Sequence, residues 1–298
     1  MKQLTVFTPT YNRAYILPKL YKSLTEQTVK DFVWLIVDDG STDDTKQLVS
    51  SWINENLIEI RYYAQENGGK MKAHNLGVEK TDTELFTCID SDDHLVNTAV
   101  EKLLYCWNNT VKPSNVCGII AYRGSEDNKI ISSEFPKNLE FTHFSDLYSN
   151  GFEGDTTLLF KTEILKKHPF PIIANEKFIT EAYIYEQISR QYRLIILPEI
   201  ITVCEYIEDG LTRNLHKVTF NNPCGYVAYF LQKGNFAKSF IATAKAYIRA
   251  NAFRKFTKGV DMPVKAQKKF LYFITRPFGA MLYLKKKKAF QQTLKGKN

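Results

Sequence analysis

Between Leu4 and Ala121, short apolar runs alternate with stretches of helical periodicity, and this alternation limits the fold more than any other property of the chain. Strands are expected at Leu4–Thr8, Val33–Val37, Ile58–Tyr63, Glu84–Ile89 and Val116–Ala121. Helices are expected at Tyr15–Thr25, Asp43–Asn54, Lys70–Lys80 and Asn97–Trp107. Repeats of this length build βαβ units, hence an α/β fold with a mixed, mostly parallel sheet flanked by helices. Such sheets bind ligands outside the carboxyl ends of their strands. The loops falling there are Thr8–Asn12, Asp38–Thr42, Glu66–Lys70 and Asp90–Asp93, and they hold the unusual polar residues.

Farther along, Arg123–Lys137 reads as an irregular excursion or hairpin. Thr156–Phe160 is expected as a strand, Thr162–Lys167 and Glu176–Arg190 as helices, and Leu194–Leu197 and Ile200–Tyr206 as strands separated by Pro198. Beyond Asn214 the pattern is helical: Gly225–Gln232, Phe236–Phe253 and Pro263–Lys287, the last kinked by Pro277.

The net charge of +8 conceals a division. Residues 216–298 carry 18 Lys and Arg against one acidic residue, Asp261, a net +17; residues 1–215 carry 22 basic and 31 acidic residues, a net −9. A boundary is therefore expected near residue 215, and a polyanionic partner for the part beyond it. A composition 44% hydrophobic and 13% aromatic argues for a folded chain. Five scattered cysteines without CxxC spacing fit reduced thiols in a cytoplasmic protein. The N-terminus runs directly into a strand pattern, so no signal peptide is expected, and no run of about 18 apolar residues predicts a membrane span.

The most chemical stretch is Asp90-Ser91-Asp92-Asp93, which ends the run Glu84–Ile89. Three carboxylates together repel unless cations or donors sit among them. Asp90 and Asp92, at alternate positions, can face one hard divalent ion. One Asp would serve as a helix cap; three exceed that need. Asp38 and Asp39 likewise outnumber what capping requires, and a carboxylate there can accept from a uracil imide or a ribose hydroxyl. Tyr11 offers a ring for a base to stack on, worth roughly 1–3 kcal/mol by analogy with nucleic-acid binders. Asn67-Gly68-Gly69 alone is an ordinary turn; beside the other loops, Lys70 or Lys72 becomes a diphosphate contact.

Taken in order, Thr8-Pro-Thr-Tyr-Asn-Arg13, Val37-Asp-Asp-Gly-Ser-Thr42, Asn67-Gly-Gly-Lys with Ala73-His-Asn-Leu-Gly77, and Asp90-Ser-Asp-Asp93 resemble the successive motifs of the family 2 glycosyltransferases of GT-A fold. Glu176–Glu181 and Tyr206–Thr212 resemble acceptor-side motifs of members that build bacterial surface polysaccharides; the basic tail is outside the shared pattern. The resemblance implies a catalytic domain over 1–215, with a nucleotide-sugar half at 1–100 and an acceptor half at 101–215, followed by a basic helical region at 216–298. It implies a metal-dependent, inverting transfer of a hexose from a UDP-sugar to a polyprenyl-diphosphate-linked saccharide. Thr8, Pro9, Tyr11 and Asp39 would hold the uridine, with Asp38 supporting and Asn67, Lys70, Lys72 and Ser91 on the donor side. Asp90 and Asp92 would hold Mn2+ or Mg2+, Asp90 shared with the ribose, and Asp93 would meet the donor sugar. The general base would be Glu181, with Glu176 and Asp155 as fallbacks, because the Glu-Asp pair of the family is missing. Asp209-Gly210 reads as a turn that with Leu211-Thr212 closes over the donor, and His74 and His94 are candidate contacts for which capping or solvation is the simpler reading.

In the tail, Phe270–Leu284 is apolar and aromatic and is flanked by Lys265, Lys268, Lys269 and Lys285–Lys288. Such a segment suits a helix lying in an anionic membrane interface, peripheral to the inner face of the cell membrane; a helix packed on the catalytic domain is the alternative. The acidic N-terminal part argues against nucleic acid. Two rival functions remain open: a nucleotidyltransferase, which would want a Gly-rich loop that Thr8–Arg13 lacks, and a catalytically inactive relative that binds membrane or nucleic acid.

Overall fold

The computed structural model describes residues 2–204 and 215–295; Tyr206–Thr212 lies outside them. The chain divides into two compact units, Met1–Pro169 with Ile184–Ile207, and Phe170–Tyr183 with Glu208–Asn298.

The first unit holds β1 (Leu4–Thr10), α1 (Leu17–Thr25), β2 (Phe32–Asp38), α2 (Thr45–Glu55), β3 (Ile60–Ala64), α3 (Lys70–Lys80), β4 (Leu85–Cys88), β5 (Asp93–Leu95), α4 (Ala99–Asn109), β6 (Val116–Gly124), β7 (Phe141–Thr142), α5 (Phe144–Ser149), β8 (Thr156–Lys161) and α6 (Thr162–Lys167). After α7 (Ala182–Ile188), which crosses the division, the sheet ends with β9 (Arg193–Cys204). Among the described residues the strands form one sheet in the order β3-β2-β1-β4-β8-β6-β9-β5, with β7 also on β9. β3, β2, β1 and β4 run parallel, β8 opposes β4 and β6, and β6 and β9 are parallel again.

β2 is buried along its whole length because helices cover both faces of a parallel sheet. On one face Trp34 stacks with Trp52, centroids 5.7 Å apart, and Tyr21 with Trp52 at 4.3 Å. On the other, Phe7 stacks with Phe86 at 5.2 Å. A Cβ on Gly77 would stand 2.4 Å from the Phe7 ring, so only glycine lets α3 lie this close to β1. That contact fixes the N-terminus of α3, and with it Lys70, beside the strand ends.

Several boundaries differ from expectation. Leu194–Leu197 and Ile200–Cys204 join in one strand, the last two residues of the expected Ile200–Tyr206 lying outside the described ones, because a register shift between Ala121 and Tyr122 of β6 absorbs Pro198 and Glu199. β5, three residues long, was not legible as a strand; it forms only because Asp93, His94 and Leu95 find Cys204, Val203 and Thr202 opposite them. The excursion after Arg123 contains a bridge between Gly124 and Ile130.

The second unit comprises Phe170–Tyr183 and the helices α8 (Leu215–Asn221), α9 (Pro223–Phe236), α10 (Phe240–Phe253), α11 (Lys269–Ile274) and α12 (Arg276–Lys295). Its core gathers Val227, Leu231, Tyr247, Ala250, Phe253 and Leu271. Of the helix expected over Glu176–Arg190, only Ala182–Ile188 forms, because the residues before it are tied to α9. Lys177 N–H donates to Asn222 Oδ1 at 2.8 Å, and the Phe178 carbonyl presses on Gly225, where a Cβ would lie 2.3 Å from it. The helix expected over Pro263–Lys287 is broken rather than kinked: Pro277 stands in the first turn of α12, where its missing N–H costs nothing. Ser239 Oγ accepts from Ala242 N–H at 3.1 Å and starts α10, four residues later than expected.

Candidate active site

The β1 and β2 loops are stitched to each other. Asp39 N–H donates to Thr10 O at 2.8 Å, Asn12 N–H to Ser41 Oγ at 2.8 Å, and Thr42 N–H to Asn12 Oδ1 at 2.8 Å. Asn12 adopts φ +53°, which Asn tolerates and which bends the loop back on itself. Thr8 is fully buried and its hydroxyl accepts from the Trp34 indole at 3.0 Å, so it anchors β1 in the core. Tyr11, 47% exposed, is the open aromatic of this loop, and Pro9 is half-buried.

Both aspartates of the β2 loop are buried and hydrogen-bonded by their own surroundings. Asp38 accepts from Ser41 N–H at 2.7 Å and Tyr62 Oη at 2.6 Å; burial, then this carboxylate, raises the Tyr62 phenol. Asp39 accepts from Gln65 Nε2 at 2.7 Å, Gly68 N–H at 2.8 Å and Gly69 N–H at 2.7 Å. It thus clasps the glycine turn that opens α3. Gly40 makes this possible: its φ is +84°, and a Cβ there would come 3.0 Å from the Asn67 nitrogen. Asn67 is half-buried and Lys72 exposed.

Lys70, the residue after Gly69, places Nζ 2.5 Å from Asp90 Oδ1. The two loops are therefore linked through consecutive residues, Gly69 on Asp39 and Lys70 on Asp90. Burial works to raise the Asp90 carboxyl, but Lys70 and Arg123 outweigh it and hold it below the usual carboxylate range. Asp92 is raised, by burial first and by Asp90 second. Asp93 is turned inward by β5 and meets Arg123 Nη1 at 3.1 Å; burial still pushes it up to about 7, against the opposing pull of Arg123. Ser91 is buried.

Arg123 is the residue that sequence reading missed. Besides Asp93 it donates through Nε to Thr156 O at 3.2 Å. Its signal was a single arginine near the end of the apolar run Val116–Tyr122, at the start of the stretch that reads as an irregular excursion. Three carboxylates thus face Lys70 and Arg123, and Arg13 also favours the ionised forms of Asp90 and Asp92. Among the described residues no group of three or more His, Cys, Asp and Glu is arranged to hold a metal ion. Asp90 and Asp92, two hard carboxylate donors of which the second is raised, nonetheless fit a divalent ion that takes its other ligands from phosphate and water.

His74 belongs to the core, edge-on to Phe7 and Phe86 at 5.6 and 5.3 Å, and burial pushes its pKa down to about 3; neither capping nor solvation describes it. His94 Nε2 lies 3.8 Å from Glu126 Oε1.

In the second unit, Glu181 stands half-buried one residue ahead of α7. Glu176 is engaged by the backbone instead. Its oxygens accept from Cys224 and Gly225 N–H, each at 2.7 Å, capping α9. In the first unit, Asp155 is exposed.

A family model described as Glycosyl transferase family 2 matches residues 5–168. The chain is similar to a GalNAc(5)-diNAcBac-PP-undecaprenol β-1,3-glucosyltransferase of Campylobacter jejuni, 26% identical over 232 residues, which are 76% of this chain and 72% of that protein. Among solved structures it resembles Staphylococcus aureus TarS 1–349 in complex with UDP-GlcNAc, with a TM-score of 0.59, 17% identity, and 92% and 79% of the two chains covered. It also resembles the mannosyltransferase PcManGT of Pyrobaculum calidifontis in complex with GDP-Man and Mn2+, with a TM-score of 0.56, 17% identity, and 95% and 87% covered. These structural likenesses establish the expected GT-A fold.

Proposed function

This chain belongs to glycosyl transferase family 2, and we propose that it moves a hexose, with inversion, from a UDP-sugar to a saccharide carried on a polyprenyl diphosphate, in the assembly of a bacterial surface polysaccharide. The observation that carries this reading is the connected line from Asp39 through Gly69 and Lys70 to Asp90, with Asp92 left raised beside it. The fold match to a protein solved with UDP-GlcNAc supports the donor class, and the similarity to an enzyme named for a PP-undecaprenol substrate supports the acceptor class.

In this reading Tyr11 stacks on the base, with Pro9 beside it and Thr8 holding β1 from within. Asp39, its loop braced by Asp38, offers the base or ribose whatever hydrogen-bonding capacity the glycine turn leaves. Asp90 and Asp92 would hold Mn2+ or Mg2+; when bound, the ion supplies Lewis-acid stabilisation of the departing diphosphate. Lys70 leaves Asp90 for a diphosphate oxygen, with Asn67, Lys72 and Ser91 lining the same end of the sheet. Asp93, secured by Arg123, holds the turn that presents Asp90 and Asp92. Glu181 takes the proton from the acceptor hydroxyl as general base, a contribution of roughly 10²–10⁴-fold.

The test is thermal denaturation with UDP-, GDP- and dTDP-sugars, with and without Mn2+. A UDP-sugar with Mn2+ is expected to raise Tm most, by a shift that grows with ligand concentration. A larger shift with a GDP- or dTDP-sugar overturns the donor assignment, and equal shifts without metal overturn the metal assignment.

A further inference from the structure

We infer that the outward face of α11 and α12 docks on an anionic lipid bilayer. The two helices are amphipathic in an unusual sense. Their inner faces carry Leu271, Tyr272, Leu282 and Tyr283 into the core of the second unit, against residues such as Tyr247 and Phe253. Their outer faces are apolar as well: Phe270 is 78% exposed, Phe273 59%, Phe278 57%, Met281 68% and Leu284 66%. Large apolar side chains standing this far into solvent over consecutive turns are costly unless something covers them.

The lysines say what covers them. In α12, Lys285 and Lys288 follow Met281 and Leu284 by four residues each, so they continue the same helical face beyond its apolar half. Both are exposed, as are Lys287, Lys265 ahead of α11 and Lys269 at its first position. Two of the flanking lysines are occupied inside the unit: Lys268 Nζ donates to Ala237 O at 2.8 Å and Thr243 Oγ1 at 2.9 Å, and Lys286 Nζ lies 5.5 Å over the Tyr226 ring. The remainder are available to phosphates.

Aromatic and aliphatic side chains bounded by exposed lysines match the acyl–headgroup boundary of a bilayer with negative headgroups. A second copy of this chain is a poor occupant, since residues 216–298 carry +17 and would meet themselves. The contact is interfacial: among the described residues no helix is long and apolar enough to cross a membrane. Vesicle binding needs no donor and no transfer, so this inference stands or falls apart from the proposed reaction.

The experiment is co-sedimentation of the full chain with phosphatidylcholine vesicles and with vesicles containing 30% phosphatidylglycerol, at low and high salt, for the wild type and for Phe278→Ser/Met281→Ser/Leu284→Ser. All three substituted side chains are exposed, so Tm is expected to hold. Partitioning should favour phosphatidylglycerol, weaken as salt screens the lysines, and fall at least tenfold in the triple variant. Replacing Lys285 and Lys288 by Gln should weaken it about fivefold per lysine. Equal binding to both vesicle types, or undiminished binding by the triple variant, overturns the inference. So does a dimer in light scattering that the triple variant dissolves, or binding of a DNA duplex in preference to vesicles.

Discussion

Lys70 Nζ lies 2.5 Å from Asp90 Oδ1, and the backbone N–H just before it, on Gly69, donates to Asp39 at 2.7 Å. One turn of chain thereby ties the carboxylate of the β2 loop to the first carboxylate of the Asp90–Asp93 turn, and its lysine occupies the charge that a cation would neutralise. Lys70→Met should therefore move two quantities in opposite directions. Mn2+ affinity of the donor-free protein should rise, because a competing ammonium is gone, while KM for the donor should increase about tenfold or more from the loss of a charge-assisted contact. Calorimetric titration with Mn2+ alone checks the first; unchanged affinity would show that Lys70 does not compete.

Asp92→Asn separates stability from activity. The carboxyl is raised by burial and by Asp90, so its ionised form is a strained charge in the ligand-free fold. The variant should keep or slightly raise Tm near neutral pH and lose metal-dependent transfer. Retained transfer in a radiolabelled-donor assay would remove Asp92 from the metal site.

The two glutamates should part in opposite ways. Glu181→Gln should lower turnover by roughly 10²–10⁴-fold with UDP affinity unchanged, as for a lost general base. Glu176→Ala should cost about 1–3 kcal/mol of stability, because it uncovers two backbone N–H groups at the start of α9. Single-turnover kinetics with nucleotide titration test the first, and urea denaturation tests the second.

Arg123→Lys keeps the charge but loses the planar fork that reaches both Asp93 and Thr156 O. A loss of about 1–2 kcal/mol is expected from the missing bond and the poorer fit to a buried carboxylate. Denaturation midpoints decide this; no change would mean that Arg123 does not position the turn.

His74 sets an acid limit. Its folded pKa of about 3 lies below the unfolded value, so the unfolded chain binds the extra proton and stability is lost as pH falls from about 6.5 toward 3. At pH 5 this amounts to about 2 kcal/mol relative to neutral pH. His74→Leu, which keeps an apolar side chain between Phe7 and Phe86, should flatten the pH dependence over that window, measured by urea denaturation at pH 7.5 and 5.

The β1 to α4 alternation was legible because each strand and helix there is local, with its own period and its own Gly, Asp or Pro at the ends. For the same reason the order of residues sufficed to put the four polar loops at one edge of the sheet. What local pattern could not carry was pairing over long separations. β5 exists only opposite Thr202–Cys204, β9 runs through Pro198 only because β6 shifts register, and the helix expected from Glu176 yields to the bonds that Glu176 and Lys177 make with α9.

By itself, then, the amino-acid order determined the α/β alternation, the identity of the carboxylates at the strand ends and the split between an acidic and a basic part, since all three follow from residue type and near-neighbour spacing. Only the tertiary structure decided how those groups are used. It buried Thr8 against Trp34, set Asp39 on the glycine turn, turned Asp93 to Arg123, bonded Lys268 to Ala237 and Thr243 and laid Lys286 over Tyr226, while leaving Phe278 and Met281 outside. A side chain's neighbours depend on chain segments tens of residues away, and burial beside them, not the residue type, sets its charge and its partners.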